Sequence, residues 1–283
     1  MSSLRDGQRY VRPVHRETPA IRAPRNHPSR GNRPVATRGL ALDLGSSRTR
    51  AWVPGHGLMT DPVPDDESLR PVRRGRIVDP ESCGRLLSRI ADAALGTDRS
   101  DSVIVLSHPV LAGAEHRAAA RELLAALGPT GVVVLNSARA AAAYAGPQDS
   151  GPLLVIDMGA ELTEVTLLVD GMVADARQAE SGLSDLDPAT LPAALVRTVL
   201  DMIMSMWRQD RHGTVLGALR KGPVLAGGGA LRPDITDRLA LRLGARVRLA
   251  DDPSTTVVRG AGLILSSVLR HAATPAVLPG LPG

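Results

Sequence analysis

From about Gly39 onward, short apolar runs alternate with amphipathic stretches. Leu40–Leu44 and Arg50–Val53 read as strands. Glu81–Leu95 sets Leu86, Leu87, Ile90 and Leu95 on one face at helical spacing. A strand over Val103–Ser107, a helix over Glu115–Leu127 and a strand over Val132–Leu135 follow. Ser137–Ala145 is alanine-rich and reads as a tightly packed helix. A second cycle opens at Leu153. Thr163–Val169 and Met172–Ala176 predict a hairpin across Asp170-Gly171. A long helix comes next, with Pro192 near its first turn and a stripe of Leu195, Val196, Val199, Ile203, Met206 and Trp207. Its methionines read as core filler. Val224–Ala226 and Arg246–Leu249 read as strands, and Asp234–Leu243 and Thr255–Arg270 as helices. Alternation of this kind predicts α/β layers in two halves with a cleft between them.

Three polar signals stand directly after apolar runs: Asp43-Leu-Gly45-Ser46-Ser47-Arg48-Thr49, Asp157-Met-Gly159-Ala160-Glu161-Leu-Thr163-Glu164, and Gly227-Gly228-Gly229-Ala230-Leu231. The first two share a plan of buried strand, terminal Asp and tight turn. Backbone amides and hydroxyls after such a turn can converge on phosphate oxygens. A carboxylate cannot bind phosphate directly, but it can hold a hydrated Mg²⁺ that does. Asp43 and Asp157, facing each other, would clamp one metal through water. The triple glycine lets backbone approach a flat ligand or phosphate closely.

Composition adjusts this picture at the ends of the chain. Residues 1–38 carry nine arginines against Asp6 and Glu17, so the basic charge sits in an N-terminal arm and the remainder is slightly acidic. With no apolar period, the arm reads as a disordered basic tail. Lacking interleaved aromatics, it suits phosphate or lipid headgroups, with no specific nucleic acid recognition. The single Cys83 excludes an internal disulfide and fits a reducing compartment. No apolar run reaches the length of a membrane span, and the arginine-rich start does not resemble a secretory signal. The histidines show no zinc spacing. Ser107, His108 and Asp157 lack a nucleophile-elbow pattern for a hydrolase.

The order and spacing of these motifs resemble the actin-like ATPase superfamily, and within it the MreB-like rod shape-determining proteins. The likeness runs from about Gly39 to Arg270. Leu69-Arg-Pro-Val-Arg-Arg-Gly-Arg-Ile-Val-Asp79 resembles the family segment leading into its first long helix. His108 through Gly146 resembles the stretch that ends in the interdomain helix, and Leu249 through Gly262 the second connection. The resemblance implies an actin-like (ribonuclease H-like) fold, two similar α/β domains around a nucleotide cleft binding ATP or ADP with Mg²⁺. Asp43–Thr49 would be the first phosphate loop, Asp157–Glu164 the second, and Gly227–Leu231 the adenosine-contacting turn. The implied division is a tail over 1–38, domain IA over 39–146 completed by 251–272, domain IIA over 147–250, and a flexible tail over 273–283.

Departures from the family pattern qualify the activity. Only residues 54–68 separate Val53 from Leu69, and Glu180–Asp185 leads almost directly into the long helix, so outer subdomains IB and IIB are missing. Glu161 and Ala160 replace family glycines. A Glu161 carboxylate about 4 Å from a phosphate would repel it by roughly 4 kcal/mol at an effective dielectric of 20. Alternatively, Glu161 points away and leaves only its amide at the site. Ser137 stands where the family keeps a water-orienting Glu or Gln, while Glu164 matches a position near the attacking water. Glu164 and Asp157 are therefore the candidate catalytic groups of, at most, a weak ATPase. The implied role is a partner or regulator of the bacterial cell-shape cytoskeleton, meeting cytoskeletal or cell-wall-synthesis proteins. Its implied place is the cytoplasm or the inner face of an anionic membrane. An active Mg²⁺-dependent ATPase and a nucleotide-free interaction module with a membrane- or nucleic-acid-binding arm are the other two readings.

Overall fold

The computed structural model describes residues 38–62, 70–147, 150–185, 187 and 191–273. The expected tails over 1–38 and 273–283 lie almost wholly outside the described residues.

Two sheets organise the chain. In the first, β1 (Arg38–Leu44), β2 (Arg48–Val53) and β3 (Gly57–Pro62) form an antiparallel meander, and β6 (Ser102–His108) and β7 (Gly131–Asn136) add in parallel beside β1. Its strand order is β3-β2-β1-β6-β7. A small hairpin, β4 (Val72–Arg73) with β5 (Arg76–Ile77), stands apart from it. The second sheet repeats the plan with β8 (Leu153–Met158), β9 (Thr163–Val169), β10 (Met172–Ala179) and β11 (Val224–Ala226), in the order β10-β9-β8-β11. Asp170 (φ 50°) and Gly171 (φ 75°) make the two-residue turn between β9 and β10, both in the left-handed region that a twisted hairpin favours.

The helices fill three layers around these sheets. On the outer face of the first sheet, α1 (Pro80–Leu95) and α2 (Ala114–Ala125) bury Leu86, Leu87, Ile90 and Leu124 against Leu40, Leu42 and Ile104. Asp79 caps α1, its carboxylate accepting the Ser82 amide at 3.0 Å, with Pro80 at the first helical position. On the outer face of the second sheet lie α4 (Leu191–Gln209), α5 (Thr214–Lys221) and α6 (Pro233–Leu243). Between the sheets, α3 (Ser137–Ala145) and α7 (Thr256–Ala273) share one core with inner residues of both, from Ala41 and Val105 to Val155 and Val224.

Two expectations differ from the structure. Arg246–Leu249 is no strand: it forms a single bridge, Val224 to Arg248. Its side chains alternate only partly buried Val247 with exposed Arg246 and Arg248, too little apolar surface to seat a fifth strand. Trp207 is 52% exposed, because it lies about 100° round the helix from the stripe centred on Leu195, Val199 and Met206. β3 and α5, absent from the sequence reading, are short elements that need neighbouring strands and helices to stabilise them.

The tightest constraint is between α3 and α7. A Cβ on Gly260 would overlap the Ala140 carbonyl, so the two backbones touch where no side chain fits. Gly260→Ala is expected to destabilise the fold by about 2 kcal/mol or more. Gly84→Ala on α1, where the added methyl would meet only Leu123 at 3.6 Å, should instead stabilise by about 0.5–1 kcal/mol. Urea denaturation of both variants checks the pair.

Candidate functional site

β1 and β8 each end in an Asp followed by a glycine turn. The Gly45 amide donates to the Arg48 carbonyl at 3.1 Å, and the Gly159 amide to the Leu162 carbonyl at 2.8 Å. The two turns are thus equivalent, one in each half of the chain. Both line one cleft together with Asp43, Ser46, Ser47, Arg48, Asp157, Ala160 and Glu164. Gly227 and Gly228 line it as well. Gly227 has φ 83°, and a Cβ there would sit 2.5 Å from the Asp157 carboxylate and the Met158 carbonyl, so the bend depends on glycine.

Three candidate residues lie elsewhere. Thr49 alternates to the opposite face of β2, where it lines a separate cavity with Met59 and Ile90. Gly229 packs against Met158 and Leu195, and Ala230 belongs to the same core. They support the bend from below and do not line the cleft.

Cross-strand pairing sets the electrostatics. Asp43 pairs with Arg50 in the first sheet and Asp157 with Glu164 in the second. The Asp43 carboxyl is raised by burial, against the pull of Arg50 and a hydrogen bond from Ser107. Burial pushes Asp157 up to about 8, with Glu164 and Asp43 adding repulsion and Arg50 opposing it. Glu164 rises to about 7, again by burial, although it accepts the Val110 amide at 2.8 Å and the Ser137 hydroxyl at 3.2 Å. Ser137 therefore spends its hydroxyl on Glu164. His108 is buried at the end of β6, its Nδ1 2.7 Å from the Pro109 carbonyl oxygen, and does not sit in solvent. Ser107 bonds the Leu42 carbonyl at 3.1 Å, so no Ser–His pair forms among the described residues.

Glu161 lines the cleft but turns its carboxylate to the β4–β5 hairpin. Only 2% exposed, it accepts Arg70 Nη1 at 3.1 Å and the Arg74 amide at 3.0 Å, with Arg73 Nε at 3.8 Å. Arg74 reaches Asp185 at 3.2 Å and Arg76 pairs with Glu180. Sequence reasoning missed this arginine strap, whose partners lie far away in the chain. It also missed Arg50, which lines the cleft. The equal spacing of the motifs could have found it, since Arg50 follows Asp43 by the same interval as Glu164 follows Asp157.

The glycine bends leave room for an anionic ligand at the backbone. Metal ligation fares differently. Among the described residues no group of three or more His, Cys, Asp or Glu side chains could hold a metal ion, and a guanidinium faces the two aspartates. Asp43 and Asp157 both line the cleft, and an ion beside them would be held through water, as Mg²⁺ commonly is.

A model of the actin family matches residues 44–186, and the chain belongs to that family. The fold is similar to that of MreB5 of Spiroplasma citri bound to ADP, at 16% identity and TM-score 0.73, covering 84% of this chain and 99% of that one. It is similar also to MreB5 bound to AMPPNP, at 16% identity and TM-score 0.72, covering 84% and 98%. A third likeness is to the MamK double helical filament, at 15% identity and TM-score 0.67, covering 81% and 98%. No curated protein matches the sequence. The intervals 63–71 and 180–190 are too short for a further folded unit, so both outer subdomains are missing.

The raised Asp157 value predicts a pH signature. Between its ordinary value near 4 and about 8, folded Asp157 keeps a proton that the unfolded chain has released. This group therefore lowers stability progressively as pH rises through that window, and the loss levels off above it. Asp157→Asn should match the wild type in thermal unfolding near the bottom of the window and gain steadily over it toward the top. A difference in melting temperature that does not change with pH would contradict this assignment.

Proposed function

We propose that this chain is a nucleotide-binding actin-family protein that holds the phosphates of ATP or ADP between the Gly45 and Gly159 turns, with Gly227 and Gly228 at the nucleoside side. The observation that carries the reading is the pair of equivalent turns opening on one cleft at the carboxyl ends of β1 and β8. Relatives in fold were crystallised with ADP and with AMPPNP, which supports the same ligand class. The reading includes slow hydrolysis. Phosphoryl transfer depends on positioning a water, and the Glu164 carboxylate is held by Val110 and Ser137. The missing outer subdomains remove surface that could enclose a base and contact a neighbouring subunit. We therefore propose a partner or regulator of a cell-shape cytoskeleton rather than a self-sufficient polymer.

Calorimetric titration with ADP and ATP tests the core claim. We expect saturable binding that Gly227→Val abolishes, and phosphate release no faster than that of Asp157→Ala. Ligand at about 100 times its dissociation constant should stabilise the protein by about 2.7 kcal/mol. An unchanged melting temperature at saturating nucleotide would instead favour an interaction module with an empty cleft.

The basic arm over 1–38 lies almost wholly outside the described residues, and none of the described helices is long and apolar enough to cross a membrane. We propose that the arm contacts anionic membranes from the cytoplasmic side. Cosedimentation with phosphatidylserine vesicles should fall to background on deletion of residues 1–37 and should weaken as salt rises. Equal binding by the deleted form would remove this role.

A further inference from the structure

Away from the cleft, the helices over the second sheet present a surface of their own. α5 and α6 both pack against α4. Each helix buries one stripe in the core it shares with that sheet, through Leu195 and Val199 on α4, Val215 on α5 and Leu239 on α6. The opposite stripes therefore face away from the sheet together. Large apolar side chains stand in water on them: Trp207 is 52% exposed, Leu241 80%, Leu216 44% and Met204 40%. Trp207 is the one exposed aromatic residue among the described residues. Charge divides the chain along the same line. Residues 191–250 hold nine Arg and Lys221 against four Asp and no Glu, whereas residues 39–190 hold thirteen Arg against twenty-one Asp and Glu. Arg197 and Arg208 share the exposed stripe of α4 with Met204, Arg211 stands just past its end, and Arg238 and Arg242 stand beside Leu241 on α6.

We propose that this helical layer docks on an anionic lipid bilayer, with Trp207, Met204 and Leu241 entering the headgroup zone and the neighbouring arginines meeting lipid phosphates. The side chains suit that boundary. An indole partitions to the water–hydrocarbon interface, and arginine lays its apolar stem along it while the guanidinium stays among the headgroups. Each cationic group near such a surface adds attraction. Apolar residues scattered singly among cations over three helices also fit a bilayer better than an acidic protein, whose binding would concentrate on a clustered, buried anchor. The charge division fixes orientation as well as contact, because an anionic surface attracts this layer and repels the acidic first half. The surface is independent of the nucleotide cleft and of the arm over 1–38.

Trp207 itself reports the contact, because the chain's other tryptophan, Trp52, packs against Gly262 and Arg259. The full chain is titrated with phosphatidylserine–phosphatidylcholine vesicles whose phosphatidylcholine carries brominated acyl chains, which quench tryptophan emission on contact. Wild-type emission should shift to the blue and fall, and the response should weaken as salt rises. Trp207→Phe should abolish the quenching and leave only unquenched Trp52 emission. Arg208→Gln combined with Arg211→Gln should weaken the apparent affinity by about tenfold or more. Thermal unfolding confirms the fold of each variant, and the wild-type quenching decides the matter if a variant does not fold. Cosedimentation of wild type without quenching would overturn the proposal and leave the arm as the membrane contact. Quenching that survives in Trp207→Phe, or wild-type affinity in the folded double variant, would overturn it too. An emission shift with poly-L-glutamate and none with vesicles would assign the face to an acidic protein instead. Absence of both cosedimentation and quenching would remove this surface and the arm together as membrane contacts.

Discussion

Backbone-to-backbone contact between α3 and α7 governs the geometry of this protein. Ala138, Ala140 and Ala141 on one helix and Gly260 and Ala261 on the other leave no side chain large enough to hold the helices apart. Dispersion contacts fall off steeply with separation, so such close-fitted surfaces stabilise well but tolerate no added volume. Because these helices lie between the two sheets, their closeness brings the inner faces of both sheets onto one shared core. The ends of β1 and β8, each with its Asp and glycine turn, then open on a single cleft. Arg259 reinforces the joint, its guanidinium lying 5.2 Å from the Trp52 ring centroid and 5.7 Å from that of Tyr144.

Charge in the cleft divides into spent and available groups. Glu161 is spent: it is buried, and it is neutralised by Arg70 with the Arg74 amide in support. Removing one partner of such a buried pair would strand the other, which costs far more than loss of the exposed Arg76–Glu180 bridge. The strap therefore ties the segment before α1 to the second glycine turn and keeps the Glu161 carboxylate off the site. Of the two open possibilities for Glu161, the structure selects the one that leaves the loop compatible with an anion. Asp157 and Glu164, desolvated and mutually repulsive, hold protons near neutrality and leave the cleft less acidic than its composition indicates. Arg50 adds a positive charge that faces both aspartates in the same space.

Much of this architecture was readable along the chain. The helices α1, α3, α6 and α7 fall within one or a few residues of their sequence expectation, because apolar spacing, capping by Asp79 and glycine stops are local signals. The β9–β10 hairpin was legible for the same reason, through Asp170-Gly171. Local signals failed where an element lacks a buried face of its own. Arg246–Leu249 has β-formers but little to bury, and β3 and α5 exist because neighbours stabilise them. Trp207 misled the reading because one helix turn holds more apolar residues than one face can cover.

The sequence alone determined the alternation of elements, the two Asp–Gly turns and the triple glycine. These follow from composition and spacing over a few residues, where sterics and hydrogen bonding act directly. Only the tertiary structure decided which of those residues share a space. It sent Thr49, Gly229 and Ala230 away from the cleft, gave Glu161 its arginines, and set Arg50 opposite Asp43 and beside Asp157. Strand register and packing between sheets settle such contacts, and both arise from groups that are distant along the chain and meet only once the shared core has formed.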